Sequence, residues 1–351
     1  MSAADARAAF RVAIDRGLAP GGQLSIWRDG APVLEDASGL VAAGEGATSL
    51  DVVYDLASLT KILATTYLAA RALQYGLCAL EDAIVRFVPH APENVTVRQL
   101  LEHAAGYAAH LPLHARVPND MSPQEAHALI VREAARAPLV CPPDTKIIYS
   151  DLGFIVLGAA LERMFAEPIS ALVTRQAHGV FFRDVRAASL PHDALEYAPT
   201  AHLPLADNEA PVAVPRGVVH DPNARAMGGA AGHAGLFGTA TAVSRLMQRW
   251  LAASRGDDDA WLRRETVATM WAPSRVPGRA RGFDKPSPSG SHTGDVWPAD
   301  TIGHLGFTGT SAWLSPSLGL SVVLVTNRGC TLAELKAFRR EIYAAALVDL
   351  A

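Results

Sequence analysis

Ser58 and Lys61 stand three residues apart in Ser58-Leu59-Thr60-Lys61. On a helix this spacing turns the hydroxyl and the amine to the same side. A serine is a weak nucleophile until a neighbouring base takes its proton. A lysine can act as that base where an apolar setting disfavours its charged form and lowers its pKa. Leu56, Ala57, Leu59, Ile62 and Leu63 provide such a setting, and a helix N-terminus there favours negative charge near Ser58. A serine N-cap followed by a lysine matches the same four residues, so the pair needs support from elsewhere in the chain.

Tyr149-Ser150-Asp151 is a second candidate. A tyrosine beside a lysine ammonium ionises more readily and can shuttle a proton. Ser150 or Asp151 also reads as the N-cap of the helix expected over Gly153 to Met164. The third is His304-Leu305-Gly306-Phe307-Thr308-Gly309-Thr310, rich in glycine and followed by strand-like sequence. Glycine such as Gly306 lets a substrate lie against a strand edge, and a backbone N–H there can serve an oxyanion. A glycine bulge with a surface His304 fits the same residues.

Rival chemistries find less. The chain has no Gly-x-Ser-x-Gly elbow of an α/β-hydrolase and no Gly-x-x-x-x-Gly-Lys phosphate loop. His103, His110 and His114 cluster without a His-Glu-x-x-His pattern. A solvated or structural role is expected for His110 and His114, and packing at a helix end for His103. His220, Asp221 and His233 sit in Gly-rich sequence that suits a loop lining a cleft. No metal and no cofactor is implied.

These residues need a frame. Gly21 to Trp27 and Pro32 to Glu35 flank Asp29-Gly30, a hairpin signal. Ala3 to Arg16 has helical character. Leu59 to Tyr75 is apolar on nearly every side, as a buried helix is, with Gly76 as its C-cap. Helices and long Pro- and Gly-rich loops follow from about Glu81, and Gly282 to Asp300 reads as a loop. Strands return at Ala312 to Leu314 and Leu320 to Thr326, and Leu332 to Leu347 closes the chain as a helix. This is α/β: one sheet built from both ends, with a mostly helical region inserted. The expected division of a single 351-residue domain is an α/β lobe from about 1–80 and 300–351 and a helical lobe from about 81–299.

Bulk properties narrow the classes. Half the 351 residues are hydrophobic, and the formal net charge is −4. That disfavours nucleic acid or an anionic membrane surface as a partner. No stretch of about 18 apolar residues occurs, and the N-terminus lacks the basic start and apolar core of a signal peptide. Cys78, Cys141 and Cys330 are odd in number and form no Cys-x-x-Cys. Three buried free thiols in the cytoplasm is the expectation. The oligomeric state is not legible.

Together, the three candidates resemble, in order and spacing, the signature of the penicillin-recognising serine enzymes. Tyr54-Asp55-Leu56-Ala57-Ser58-Leu59-Thr60-Lys61 resembles the nucleophile segment of the class C β-lactamase-related esterases, amidases and peptidases. Leu100-Leu101-Glu102-His103-Ala104-Ala105-Gly106 is similar to that family's Leu-Leu-x-His-x-x-Gly stretch. The stretch from Val219-His220-Asp221-Pro222-Asn223-Ala224 through Gly228 to Phe237 looks like a segment of one branch of it, which resembles proteins linked to muropeptide processing. The resemblance covers roughly Gly21 to Arg328.

It implies a β-lactamase/transpeptidase-like fold, an antiparallel sheet flanked by helices with the site beside a helical lobe. It implies acylation of Ser58, with acid–base duty shared by Lys61 and Tyr149. The N–H groups of Ser58 and Phe307 would form the oxyanion hole, and Asp151, His304 and Gly306 would contact substrate. Two positions depart from the pattern: Asp151 where Asn is usual, and His304 where a lysine holds a carboxylate. Both changes disfavour anionic substrates. The implied activity is that of a serine hydrolase on a small-molecule ester or amide, an esterase with weak or no β-lactamase activity. An amidase or D-amino-acid peptidase on muropeptides is the second reading, and a non-catalytic sensor with the same fold the third.

Overall fold

A computed structural model describes residues 3–175, 179–186, 195–200, 214–258, 261–287 and 289–350. The chain runs through α1 (Ala4–Asp15), β1 (Gly21–Arg28), β2 (Ala31–Gly39) and β3 (Tyr54–Asp55) to a π-helix, Lys61–Thr66, that continues as α2 (Tyr67–Gln74). Then come α3 (Val97–Leu101), α4 (Pro123–Arg136), α5 (Asp151–Phe165), α6 (Ile169–Thr174), β4 (Val180–Phe182), α7 (Pro222–Ala226) and β5 (Leu236–Gly238). The chain closes with α8 (Ala240–Arg255), α9 (Arg264–Trp271), β6 (Ile302–Leu305), β7 (Ser311–Ser315), β8 (Leu320–Thr326) and α10 (Leu332–Leu350).

The main sheet has the order β2-β1-β8-β7-β6 and is antiparallel throughout. The two ends of the chain meet at its centre, where Gly22 pairs with Thr326 and Ile26 with Val322. β8 is buried at every position, which its unbroken apolar run Val322 to Val325 allows. Val322 and Leu324 face the core formed with Phe10, Ile342 and Tyr343 of α1 and α10. Val323 and Val325 join the larger core, which holds Val243, Met247 and Trp250 of α8. Period-two alternation thus sends one strand into two cores.

The expected hairpin, the strand pair near the C-terminus and the closing helix are all present. The helix expected over Leu59 to Tyr75 forms with a π-turn at its start. Gly76 comes after it with φ of 68°, the left-handed geometry of a C-cap. A second, three-stranded sheet, β3-β5-β4, draws two of its strands from the stretch expected to be mostly helical. Residues 187–194 and 201–213 of that stretch lie outside the described residues. Cys78 is buried, while Cys141 and Cys330 are half-buried, so only one of the three thiols meets the expectation. No helix among the described residues is long and apolar enough to cross a membrane.

Candidate active site

Asp55 ends β3 and shapes the turn into the helix. Its Oδ1 accepts from the Ala57 N–H at 2.8 Å, a local turn that holds Ala57 at φ of 47°. Its Oδ2 accepts from the His220 N–H at 2.7 Å. Burial pushes the Asp55 carboxyl up to about 6, although both N–H groups favour its charge. From Ala57 the chain enters the helix through i→i−3 bonds, Thr60 N–H to Ala57 O and Lys61 N–H to Ser58 O, both 3.0 Å. Ser58 is therefore partly exposed at the helix mouth, and Lys61 one turn later is fully buried.

The Lys61 amine donates to Ser58 Oγ at 3.0 Å, to Asp151 Oδ1 at 2.7 Å and to the His233 carbonyl at 3.0 Å. All three ammonium protons have acceptors. Burial works against the charge on Lys61, but the Asp151 carboxylate, with Tyr149, outweighs it and raises the pKa. The expectation of a lowered Lys61 pKa is corrected: an apolar neighbourhood in sequence does not reveal a carboxylate brought in from 90 residues away. Asp151 in turn is held below the usual carboxylate range. Burial opposes this, and Lys61 and His110 override it.

Asp151 is the first residue of α5, capped by Ser150, whose Oγ accepts from the Gly153 N–H at 3.2 Å. The loop before it is fixed by Arg98, which is buried and donates to Asp144 at 2.8 and 2.9 Å and to Glu102 at 2.9 Å. Tyr149 rests in this loop between aromatic rings, 4.7 Å from His103 and 5.6 Å from His304 between centroids. Burial raises the Tyr149 pKa, and Lys61 and Ser58 beside the hydroxyl pull it down without reversing the shift. Tyr149 is neutral at rest.

His304 lies in β6 and is buried, not on the surface. Its Nδ1 donates to the Leu305 carbonyl at 2.8 Å, which leaves Nε2 as the neutral ring's acceptor, without a partner among the described residues. Burial first, then the cations Arg279 and Lys61, hold His304 well below its ordinary pKa. The turn after it closes by Gly306 N–H to Thr310 O at 2.7 Å. The buried Arg339 of α10 clamps that turn, donating to Thr310 O at 2.6 Å and Gly306 O at 3.2 Å. Thr308 and Thr310 hydroxyls donate to the Asp55 and Leu56 carbonyls at 2.7 and 3.1 Å. This lacing ties the turn that carries Phe307 to the segment that carries Ser58.

A cavity of about 460 Å³ opens at this point, and Ser58, Tyr149, Asp151 and Phe307 are on its wall. Lys61, His304 and Gly306 stand outside the lining. The remaining wall includes His110, His114, His220, Asp221 and His233, so the expectation that the His220–His233 loop lines a cleft holds. His103 has the expected place just past α3, where its Nδ1 accepts from the Ser150 N–H at 3.0 Å. His110 is exposed, in keeping with its reading as a solvated or structural residue, and its Nδ1 is 3.6 Å from Asp151 Oδ2. Sequence reading missed Asp55 and Arg339. An aspartate two residues before a turn N–H is a signal for the first; nothing local marks the second.

The arrangement offers a hydroxyl at a helix mouth, a buried ammonium on it, a phenol beside both and a cavity in front. The Beta-lactamase family model matches residues 6–346. An Escherichia coli K12 protein named "Putative D-alanyl-D-alanine carboxypeptidase" is 26% identical over 316 residues, 79% of this chain and 69% of that one. One of the same name from Salmonella typhi is 25% identical over 360 residues, 90% and 80% of the two chains. Among solved structures, "EstCE1, a hydrolase with promiscuous acyltransferase activity" superposes with a TM-score of 0.75 at 22% identity, covering 97% of this chain and 98% of that one. A penicillin-binding protein homologue from Caulobacter crescentus gives 0.75 at 20% identity, covering 98% and 97%.

Proposed function

Because the chain belongs to the β-lactamase family of serine hydrolases, we propose that it cleaves a small ester through an acyl-enzyme on Ser58, with weak or no β-lactamase activity. The observation that carries this is the Ser58–Lys61–Asp151 chain of hydrogen bonds at the wall of the cavity. Ser58 Oγ attacks the carbonyl, and the N–H groups of Ser58 and Phe307 receive the oxyanion. Lys61 is charged and Tyr149 neutral at rest, so the base forms as substrate enters: Lys61 gives one proton to the departing water, and its neutral amine takes the Ser58 Oγ proton and passes it to Tyr149. An acyl group expels water from the mouth of the site, which disfavours charge on the amine. Tyr149 then relays a proton to the leaving oxygen. Water repeats the sequence to release the acid.

The choice of a substrate without a carboxylate rests on charge. Among the described residues, none that lines the cavity is lysine or arginine, Asp151 is anionic, and His304 is neutral and buried. A penicillin kcat/KM above about 10⁴ M⁻¹s⁻¹, in the range of efficient enzymes, would overturn the preference. The relatives' name favours the second reading, a D-amino-acid amidase or peptidase on muropeptides.

Incubation with a fluorophosphonate probe, with intact mass and adduct mapping, tests the nucleophile. One adduct on Ser58, absent in Ser58→Ala, is expected. A folded protein that takes no adduct would end the hydrolase reading and leave a ligand sensor. Short-chain esters, aminoacyl amides and muropeptides then separate the substrate classes.

A further inference from the structure

Acylation of Ser58 as proposed gives no step to the side chains of His110, Asp221 and His233 on the cavity wall. Asp221 caps α7. Among the described residues both of its hydrogen bonds fall on Oδ1, from the Ala224 N–H and from His233 Nε2, each at 2.8 Å. Oδ2 is left to the cavity, and 21% of the side chain stays exposed there. Asp151 is arranged alike: Oδ1 is taken by Lys61 at 2.7 Å, and Oδ2 faces His110 at 3.6 Å. One ligand atom from each of His110, Asp151 and Asp221 lies within 4.8 Å of the others.

Two carboxylates this close repel unless positive charge lies between them. Lys61 pairs with Asp151, and among the described residues no lining residue is lysine or arginine. We propose that the substrate carries a positively charged amino nitrogen, which sits between the Asp151 and Asp221 carboxylates beside His110. Two carboxylates and the one Lys61 ammonium leave a single negative charge to balance, which a monovalent cation matches and a divalent metal would overshoot. The inference rests on Ser58 being the nucleophile, since the same cavity wall holds its hydroxyl. It narrows the esters or amides of the proposed function to those bearing an amine.

The test is protection of Ser58 from fluorophosphonate by matched small molecules. Choline is set against 3,3-dimethylbutan-1-ol, and ethanolammonium against propan-1-ol; each pair differs by a charged nitrogen in place of a carbon. In at least one pair the cation is expected to halve the labelling rate at a concentration about tenfold lower than its neutral twin, with a gap that narrows as salt is raised. Asp221→Asn is expected to shrink the gap to under about twofold. Equal or absent protection in both pairs would overturn the proposal while leaving Ser58 as nucleophile. No adduct at all would remove both readings. Protection by Mg²⁺ or Zn²⁺ at lower concentration than by either ammonium would make a metal the occupant and overturn it too. Should Asp221→Asn fail to fold, the two cation–neutral gaps in the unmodified protein and their salt dependence decide.

Discussion

The Lys61 amine lies 2.7 Å from Asp151 Oδ1 and 3.0 Å from Ser58 Oγ. One buried cation is thus shared between a carboxylate and the Ser58 hydroxyl. A neutral partner at position 151 would leave the amine to burial alone, which disfavours charge. The aspartate keeps the free site resting with Lys61 protonated.

Asp151→Asn therefore changes the pH dependence in a defined direction. Without the carboxylate, burial dominates and Lys61 loses its proton at lower pH. The acidic limb of kcat/KM on a 4-nitrophenyl ester is expected to move down by about one pH unit or more. A limb that stays in place would mean that Asp151 does not control the titration of Lys61.

The turn carrying Phe307 should tolerate no side chain at Gly306. A Cβ there overlaps Thr310 Oγ1 and comes 2.9 Å from the Leu56 carbonyl, the pair joined by the hydrogen bond that laces this turn to the segment carrying Ser58. Gly306→Ala is expected to lower kcat by about 10²-fold, as displacement of reacting groups by an ångström does. Fluorophosphonate labelling of Ser58 should slow with it. Wild-type rates in a folded variant would show that the turn does not position the site.

Asp55 predicts a pH dependence of stability. Its folded pKa, about 6, exceeds the ordinary 3.8, so the native state binds the proton more tightly than the unfolded chain. The stabilisation is complete below about pH 4 and is lost as pH rises through about 6, worth on the order of 3 kcal/mol for two units. Asp55→Asn does not titrate, and its amide nitrogen cannot accept one of the two backbone N–H groups. Urea unfolding from pH 4 to 7 is expected to show the wild type losing stability relative to the variant as pH rises. Parallel curves would refute the assignment.

His304→Lys should restore a cation beside the third motif. Nitrocefin acylation of Ser58 is expected to rise by about tenfold, in line with one added ion pair in a partly buried site. A burst measured by stopped flow checks this. An unchanged rate would mean that the buried position of His304 keeps any cation there from reaching the substrate.

Much of this site was legible because its signals are local. Ser58 and Lys61 meet through one turn of helix, the Ser150 cap starts α5, and Asp29-Gly30 closes the first hairpin. Spacing of this kind carries through to the fold because periodicity of 2 or 3.6 residues sets which side chains share a face. The β8 apolar run announced a strand, and the three motifs together gave the family resemblance that the match over 6–346 bears out.

The sign of the Lys61 shift was not legible. It depends on whether burial or the distant Asp151 carboxylate wins, and that contest is settled only when α5 brings its first residue against the π-helix. The pairing of β1 with β8 and the clamp of Arg339 on the Gly306–Thr310 turn are likewise long-range. The convergence of His110, Asp151 and Asp221 comes from three separate segments of the chain. The sequence by itself determined which groups could do chemistry and which local elements carry them. The tertiary structure alone decided their charge states and the cavity they share, because both depend on distances between residues that no local pattern relates.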